Sequence, residues 1–506
     1  MTPFIATQVR AQAAAWSAVE LRSGVDATLG VVPWWGPLMS AAELNSQTID
    51  ELRPLAVDRI SVLLGAGASA AAGLPGWDRL AERLLTESNV VSDSDEAKAF
   101  LARQDAMLAA EAAKASASDW PSVLRKALYG GDEEPEPAVL HLAAAALAAS
   151  SDAGMVQLHT LNFDPLLGTA LRRALDEVGS VAQVHQRAES AQGRAGRYVV
   201  NHLHGILPAD PGEPARGIVL TLSDFTELGA RPRPWQVSAL QDSLQKGPLV
   251  LAGTSYRDPD IRQWLHDTER DHEVVVLLAR QGLGLDRETF DRVRPALEAQ
   301  WKAIDVRPIA MHDHADAAQA LRELPQLNDA GYRSPRDRAQ TVWTAQLATF
   351  DDVQRQHSEQ LRTDLDRLRV HLGPESNLTL WLADGGGHLV RWAAPDRIYV
   401  DPDRLRFADV EHDSPWVAGR CLGRDDLLAV NLEGPRGVTQ RWRSVVAAPV
   451  GVEVAGGPGF SSGVLTSASP DSLDEHDLEQ WQETLIELAI EWGLRLGGPY
   501  GARGLA

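Results

Sequence analysis

Between residues 58 and 330, short apolar runs alternate with helical stretches, and this order limits the possible folds more than any other feature. The runs are Ile60–Leu64, Met155–His159, Tyr198–His202, Ile218–Leu220, Leu249–Ala252, Val274–Leu278 and Val306–Ala310. Several are apolar throughout, not at every second residue, as strands buried on both faces are. Asp78–Thr86, Pro165–Val178, Asp258–Thr268 and Arg287–Trp301 carry helical spacing between them. This predicts an α/β fold: a Rossmann-type parallel sheet with helices on both faces. From Leu84 to Ala149 only helical patterning occurs, broken by the acidic DEEPEP at 132–137. A helical insertion at about 84–149 is expected there.

The first run leads directly into Gly65-Ala66-Gly67-Ala68-Ser69-Ala70, which fits G-x-G-x-x-G/A at a strand end. Gly65 would permit a tight turn, Gly67 a close backbone approach to a pyrophosphate, and Ala70 close helix packing. Backbone N–H groups here can bind phosphate without a lysine. An ordinary dinucleotide fold continues into a long helix, a second strand and an acidic residue about 20 positions on. Here Gly73-Leu74-Pro75-Gly76 interrupts the helix and no strand follows.

The departure is itself a pattern. GAGASAAAGLPGW resembles the G-A-G-x-S-x-x-x-G-[IL]-P motif of the sirtuins. Thr160-Leu161-Asn162-Phe163-Asp164 resembles their T-x-N-x-D motif, His204-Gly205 their histidine-glycine motif, and Gly253-Thr254-Ser255 their G-T-S motif. The resemblance spans about residues 58–320. It implies that NAD is the bound substrate, with Gly65, Ala66, Gly67, Ser69, Asn162, Asp164, Gly253, Thr254 and Ser255 at the dinucleotide. It also implies Asn162 and His204 as the catalytic pair. The chain departs from the protein-deacylating sirtuins in two ways. It holds one cysteine, so no zinc ribbon of two C-x-x-C pairs exists, and Gly76-Trp77-Asp78 stands where they carry an acidic-Phe-Arg tripeptide. Pro75-Gly76-Trp77, Thr221–Phe225 and GTSYRDPDIRQWL are more similar to the bacterial sirtuin-like NADases of antiphage defence, which deplete NAD when triggered. The expected activity is therefore hydrolysis of NAD+ to nicotinamide and ADP-ribose. A zinc-free deacylase and a non-catalytic nucleotide-binding regulator are the alternatives.

Side-chain chemistry is consistent with that expectation. The nicotinamide–ribose bond breaks through an oxocarbenium-like state, and a water must be positioned. Asn162 offers a donor and an acceptor for a water or a ribose hydroxyl. His204 can serve as a general base near neutral pH. Outside the motif, Asn162 would read as a turn residue. Asp164 precedes a helix and is best read as its cap. His202 lies two residues from His204, on the same side of a strand, and is read as a packed neighbour. No third ligand accompanies this pair, so no metal is expected. Asp258 and Asp260 also read as helix caps.

Acidic residues outnumber basic ones 70 to 48, for a net charge of −22, so a nucleic-acid partner is not expected. No apolar run reaches the roughly 20 residues of a membrane span, and the opening MTPFIATQVRAQAAAW does not read as a signal peptide. The single Cys421 cannot form an intramolecular disulfide, which fits a reducing, cytoplasmic setting.

The organisation expected is an N-terminal helical or irregular segment over 1–57, a catalytic domain over 58–325, a polar linker over 326–340 and a smaller α+β domain over 341–506. The last opens on a helix whose apolar positions run from Trp343 to Leu372, with a polar break near His357. Runs at Leu378–Leu382, Leu389–Trp392, Leu427–Val430, Val445–Val454 and Gly463–Ser467 follow, then a closing helix from about Glu475 to Leu496. WVAGRCLGRDDLLAVNL, RWRSVVAAPVGVE and SSGVLTSASPDSLDEHDLEQW resemble a GAF sensor domain. That resemblance implies an unknown small-molecule or protein trigger. The Trp343–Leu372 stripe either pairs with a second copy, making a homo-oligomer, or packs on its own domain. Cys421 reads as a buried free cysteine.

Overall fold

The computed structural model describes residues 44–131, 134–190, 198–232, 234–268, 270–432 and 441–501, so most of the expected N-terminal segment lies outside the described residues. The chain forms two compact units, one of residues 47–328 and the other containing residues 44–46 and 329–501.

The first unit opens with α1 (Ser46–Leu52), β1 (Ile60–Leu64), the short α2 (Ala66–Ala71), α3 (Trp77–Glu87), α4 (Ser94–Leu101), α5 (Ala106–Ser116), α6 (Trp120–Tyr129) and α7 (Val139–Ala149). It continues through β2 (Val156–Thr160), α8 (Leu166–Glu177), β3 (Val184–Arg187), β4 (Tyr198–His202), α9 (Leu222–Ala230) and α10 (Trp235–Lys246). It closes with β5 (Leu249–Ala252), α11 (Pro259–Asp267), β6 (Val274–Ala279), α12 (Arg287–Lys302), β7 (Arg307–Met311) and α13 (His314–Glu323).

The seven strands form one parallel sheet in the order β3-β4-β2-β1-β5-β6-β7. β1, β5 and β6 are buried at every residue, as their unbroken apolar runs predict. On one face Leu63, Leu251 and Val276 pack with Leu240 and Leu244 of α10, Ile261 and Leu265 of α11, and Trp301 of α12. On the other face α7 lies against β1, β2, α8 and α13. The expected α/β architecture is therefore present.

Three expectations change. Ile218–Leu220 is not a strand. It is a loop in which Val219 N–H donates to the carbonyl of His204 at 2.9 Å. The remaining strand is β3, whose VHQR sequence is partly exposed throughout at the sheet edge. The helical insertion does not extend to 149. α7, VLHLAAAALAA, belongs to the layer against the sheet, and its alanines let the neighbouring helices come close.

The second unit contains α14 (Pro335–Ala348), α15 (Phe350–Leu372), β8 (Asn377–Ala383), β9 (His388–Ala393), β10 (Phe407–Asp409), α16 (Val417–Arg424), β11 (Leu428–Asn431), β12 (Ser444–Val452), β13 (Phe460–Ser469) and α17 (Leu478–Gly501). Its antiparallel sheet has the order β10-β9-β8-β13-β12-β11. α14, α15 and α17 contribute to the core on one face, and α16 covers the other. The helical break falls at Thr349, not near His357. His357 is buried, accepts a hydrogen bond from Trp392 Nε1 at 3.0 Å, and meets the edge of Trp492. The stripe of Leu361, Leu365, Leu368 and Leu372 lies in this unit's own core, which is the second of the two alternatives for it. Cys421 is buried and free, and burial pushes its thiol well up.

Candidate active site

The chain runs from β1 to β2 on one side of the sheet and later crosses to β5 on the other side of β1. This reversal makes the carboxyl ends of β1 and β5 a topological switch point, where open α/β sheets bind ligands. The segments that follow β1, β2, β4 and β5, including α2, carry the candidate site residues.

The loops after β1 and β5 touch backbone to backbone. Gly67 N–H donates to Gly253 O at 2.8 Å, and Gly65 N–H to Ala252 O at 3.0 Å. A Cβ on Gly65 would stand 2.7 Å from Gly253 O, and one on Gly67 would stand 2.8 Å from the His314 ring. Gly253 has φ +63°, and a Cβ there would meet Ala68 N at 2.8 Å. The glycines therefore serve close contact inside the protein, and Gly67 needs no positive φ. Ala66 and Gly67 form the first turn of α2, a helix of only six residues that ends before Gly73 and Pro75. Thr254 and Ser255 line a crevice with Tyr256, Leu278 and Trp301 beside this junction.

Asn162 follows β2 and is 7% exposed. Its amide nitrogen donates to Gly65 O at 3.0 Å and to Ser69 Oγ at 2.6 Å. Ser69 Oγ in turn donates to Asp164 Oδ2 at 2.6 Å. The N-cap of α8 is Pro165, not Asp164; Asp164 stands one residue before it, and its Oδ1 accepts from Leu166 N–H at 3.2 Å, so the carboxylate holds the helix start and anchors the serine. Burial pushes the Asp164 carboxyl up, and its bonds to Ser69 and Leu166 act against that rise. With both amide hydrogens directed at Gly65 and Ser69, the Asn162 carbonyl oxygen is the end turned away from the relay.

His202 ends β4. Its Nδ1 lies 3.3 Å from Asn162 O, and its Nε2 lies 3.0 Å from Gln186 of β3. Burial pushes its pKa down to about 4, so it is a neutral, packed imidazole. His204 is 5% exposed and sits one turn further on. Gly205 beside it has φ +96°, and a Cβ there would meet the Gly217 backbone at 2.5 Å, so the turn requires the glycine that follows His204. The His204 ring faces the edges of Phe225 at 5.5 Å and Trp264 at 5.9 Å. Asp258 Oδ2 lies 3.9 Å from its Nδ1.

The motif residues thus form three joined sets: Gly65 and Gly67 with Gly253 and Thr254, Ser69 with Asn162 and Asp164, and His204 with its walls. Leu203 N–H donates to Thr160 O at 2.8 Å and holds the β2 and β4 ends together. Sequence reasoning did not place Phe225, Trp264 or Asp258 beside His204. All three lie in the quoted Thr221–Phe225 and GTSYRDPDIRQWL segments, but nothing local aims them at a histidine some 20 to 60 positions away. Among the described residues, no group of three or more His, Cys, Asp or Glu side chains is placed to hold a metal ion, and no helix is long and apolar enough to cross a membrane.

A parallel α/β unit with polar groups gathered at its switch point has the doubly wound architecture, in which ligands bind outside the carboxyl ends of the strands. Residues 156–309 match the family model of the SIR2-like domain. The matched span runs from β2 into β7 and includes Asn162, Asp164, His204 and Gly253–Ser255, while the glycine loop at 65–69 precedes it. No curated protein matches the chain. The SIR2-like domain points to NAD-related enzyme chemistry.

Proposed function

We propose that the first unit is an NAD+ glycohydrolase, with Asn162 and His204 as its catalytic residues. The loops at Gly65–Ser69 and Gly253–Ser255 would hold the dinucleotide, with Asp164 anchoring Ser69. The glycosidic bond breaks with its electron pair leaving on nicotinamide. Water then bonds to the ribose carbon and gives its proton to His204, leaving ADP-ribose. The Asn162 carbonyl oxygen would orient the water or a ribose hydroxyl.

The observation that carries hydrolysis over deacylation is the enclosure of His204. At 5% exposure, with the Phe225 and Trp264 rings packed against it, His204 is too enclosed to receive an acylated lysine side chain without movement of its neighbours. The motif departures at Gly76-Trp77-Asp78 and the single cysteine favour the same reading. By this reading the second unit is a GAF-like sensor whose ligand releases the activity, in a triggered, NAD-depleting defence effector.

Purified protein is incubated with NAD+, with and without an acyl-lysine peptide. Nicotinamide and ADP-ribose are expected without peptide, and folded Asn162→Ala and His204→Ala variants should form neither. Peptide-dependent acyl transfer would establish the deacylase instead.

A further inference from the structure

Asn162 lies past the last pair of the β2–β4 ladder, Thr160 with His202. Its main chain is held by two side chains instead. Asn162 N–H donates to Thr160 Oγ1 at 3.0 Å, and its main-chain carbonyl accepts from His202 Nδ1 at 3.3 Å. A carbonyl can only accept, so the ring nitrogen is the donor. The other ring nitrogen, Nε2, meets the side-chain amide of Gln186 at 3.0 Å, and the His202 side chain is fully buried. Gln186 is itself given its place by α8. A Cβ on Gly168, in the first turn of that helix, would stand 2.6 Å from Gln186 Cδ. Glycine is a poor helix former, and here its missing side chain leaves room for the amide. Three elements, α8, β3 and β4, therefore meet at one imidazole, and that imidazole grips the main chain of the residue whose side chain bonds Gly65 and Ser69.

We infer that His202, backed by Gln186, is a positioning residue for Asn162, fixing its main-chain carbonyl and with it the direction in which the side chain leaves the backbone. This rests on the hydrolase reading above, in which the Asn162 side chain orients the water or a ribose hydroxyl. A buried imidazole is costly unless its nitrogens are partnered, and an aliphatic side chain would fill the same space without that cost. The partners found are a strand-edge amide on one side and the Asn162 main chain on the other, so the ring transmits the position of β3 and α8 to the site. A tilt of the Asn162 peptide would swing its side-chain oxygen away from the reacting atoms, and rates are sensitive to such displacements.

The test compares His202→Asn, His202→Gln and His202→Leu in the full chain. Asparagine can present an amide N–H near the place of Nδ1, glutamine near the place of Nε2, and leucine at neither. The expected result is a fall in kcat of about tenfold in the Gln and Leu variants, with KM little changed, and partial rescue in the Asn variant. A second readout needs no NAD. Asn162-Phe163 is the one Asn-Phe pair in the sequence, so labelling with 13C-carbonyl asparagine and 15N-phenylalanine gives a single signal for the Asn162 carbonyl. That signal should move in the Gln and Leu variants and stay closer to wild type in the Asn variant. If turnover in the three folded variants follows their urea midpoints and not the presence of a donor at the Nδ1 position, His202 only fills the core. A carbonyl signal unmoved in the Gln and Leu variants overturns the inference whatever the activity. Absence of NAD turnover in the wild-type protein would count against the hydrolase, while the carbonyl signal would still decide whether His202 holds Asn162.

Discussion

A single hydroxyl ties the site together. Ser69 Oγ accepts from Asn162 and donates to Asp164, so it sets the amide orientation of one residue and satisfies the carboxylate of another. Replacing Ser69 by alanine leaves Asp164 2% exposed and short of a donor. Stranding one partner of a buried hydrogen bond costs about 1–3 kcal/mol. The Ser69→Ala variant should lose stability of that order in urea unfolding, and its NAD turnover should fall because the Asn162 amide keeps only its bond to Gly65 O. A variant matching wild type in both measurements would show that the relay holds nothing in place.

At the level of elements, the site depends on two loops packed tighter than side chains permit. Gly253 lies at φ +63°, with Ala68 N 2.8 Å from where a Cβ would stand and Leu140 Cδ1 at 3.2 Å. An alanine there adopts a left-handed conformation at a cost of about 1–2 kcal/mol, before any clash. The added methyl would also push α2 away from the end of β5. Gly253→Ala should therefore lower the urea midpoint and weaken NAD binding, as measured by calorimetry. Unchanged affinity in the folded variant would separate the loop junction from the dinucleotide site. α2 itself is brief because Gly73 and Pro75 follow it, and from within it Ser69 reaches Asn162 and Asp164.

On the scale of the molecule, the two units have separate cores. An enzyme that hydrolyses NAD without restraint would drain its own cell, so an off state is required. A ligand shifts an off–on equilibrium only through different affinities for the two states, and a shift from mostly off to mostly on needs about 5 kcal/mol of difference. The second unit, by the proposed reading, supplies that difference. A chain ended after Asn328 should turn over NAD at a basal rate unlike that of the full chain and should slow growth of the host cell differently. If a folded truncated protein matches the full chain in basal and triggered turnover, residues 329–506 do not control the activity.

What the sequence determined by itself were the features with a local cause. Strands buried on both faces need unbroken apolar residues, so β1, β4 and β5 are read to the residue, and the runs for β2, β6 and β7 fall within one residue at each end. The loops that follow carry glycines and polar residues at strand ends, which made Gly65, Asn162, His204 and Gly253 legible as a set. β3 escaped because an edge strand is partly exposed and VHQR has no apolar signature. Ile218–Leu220 misled because a loop pinned beneath other loops also buries apolar side chains, with Leu220 only 1% exposed. The break at Thr349 and the burial of His357 depended on partners, Trp392 and Trp492, that come from distant segments. The same holds for His204: its aromatic walls and the carboxylate at Nδ1 meet only once β4 and β5 take their places in the sheet. Periodicity records which face of an element is buried; which side chain stands opposite is set by strand order and close packing, and these exist only in the tertiary structure.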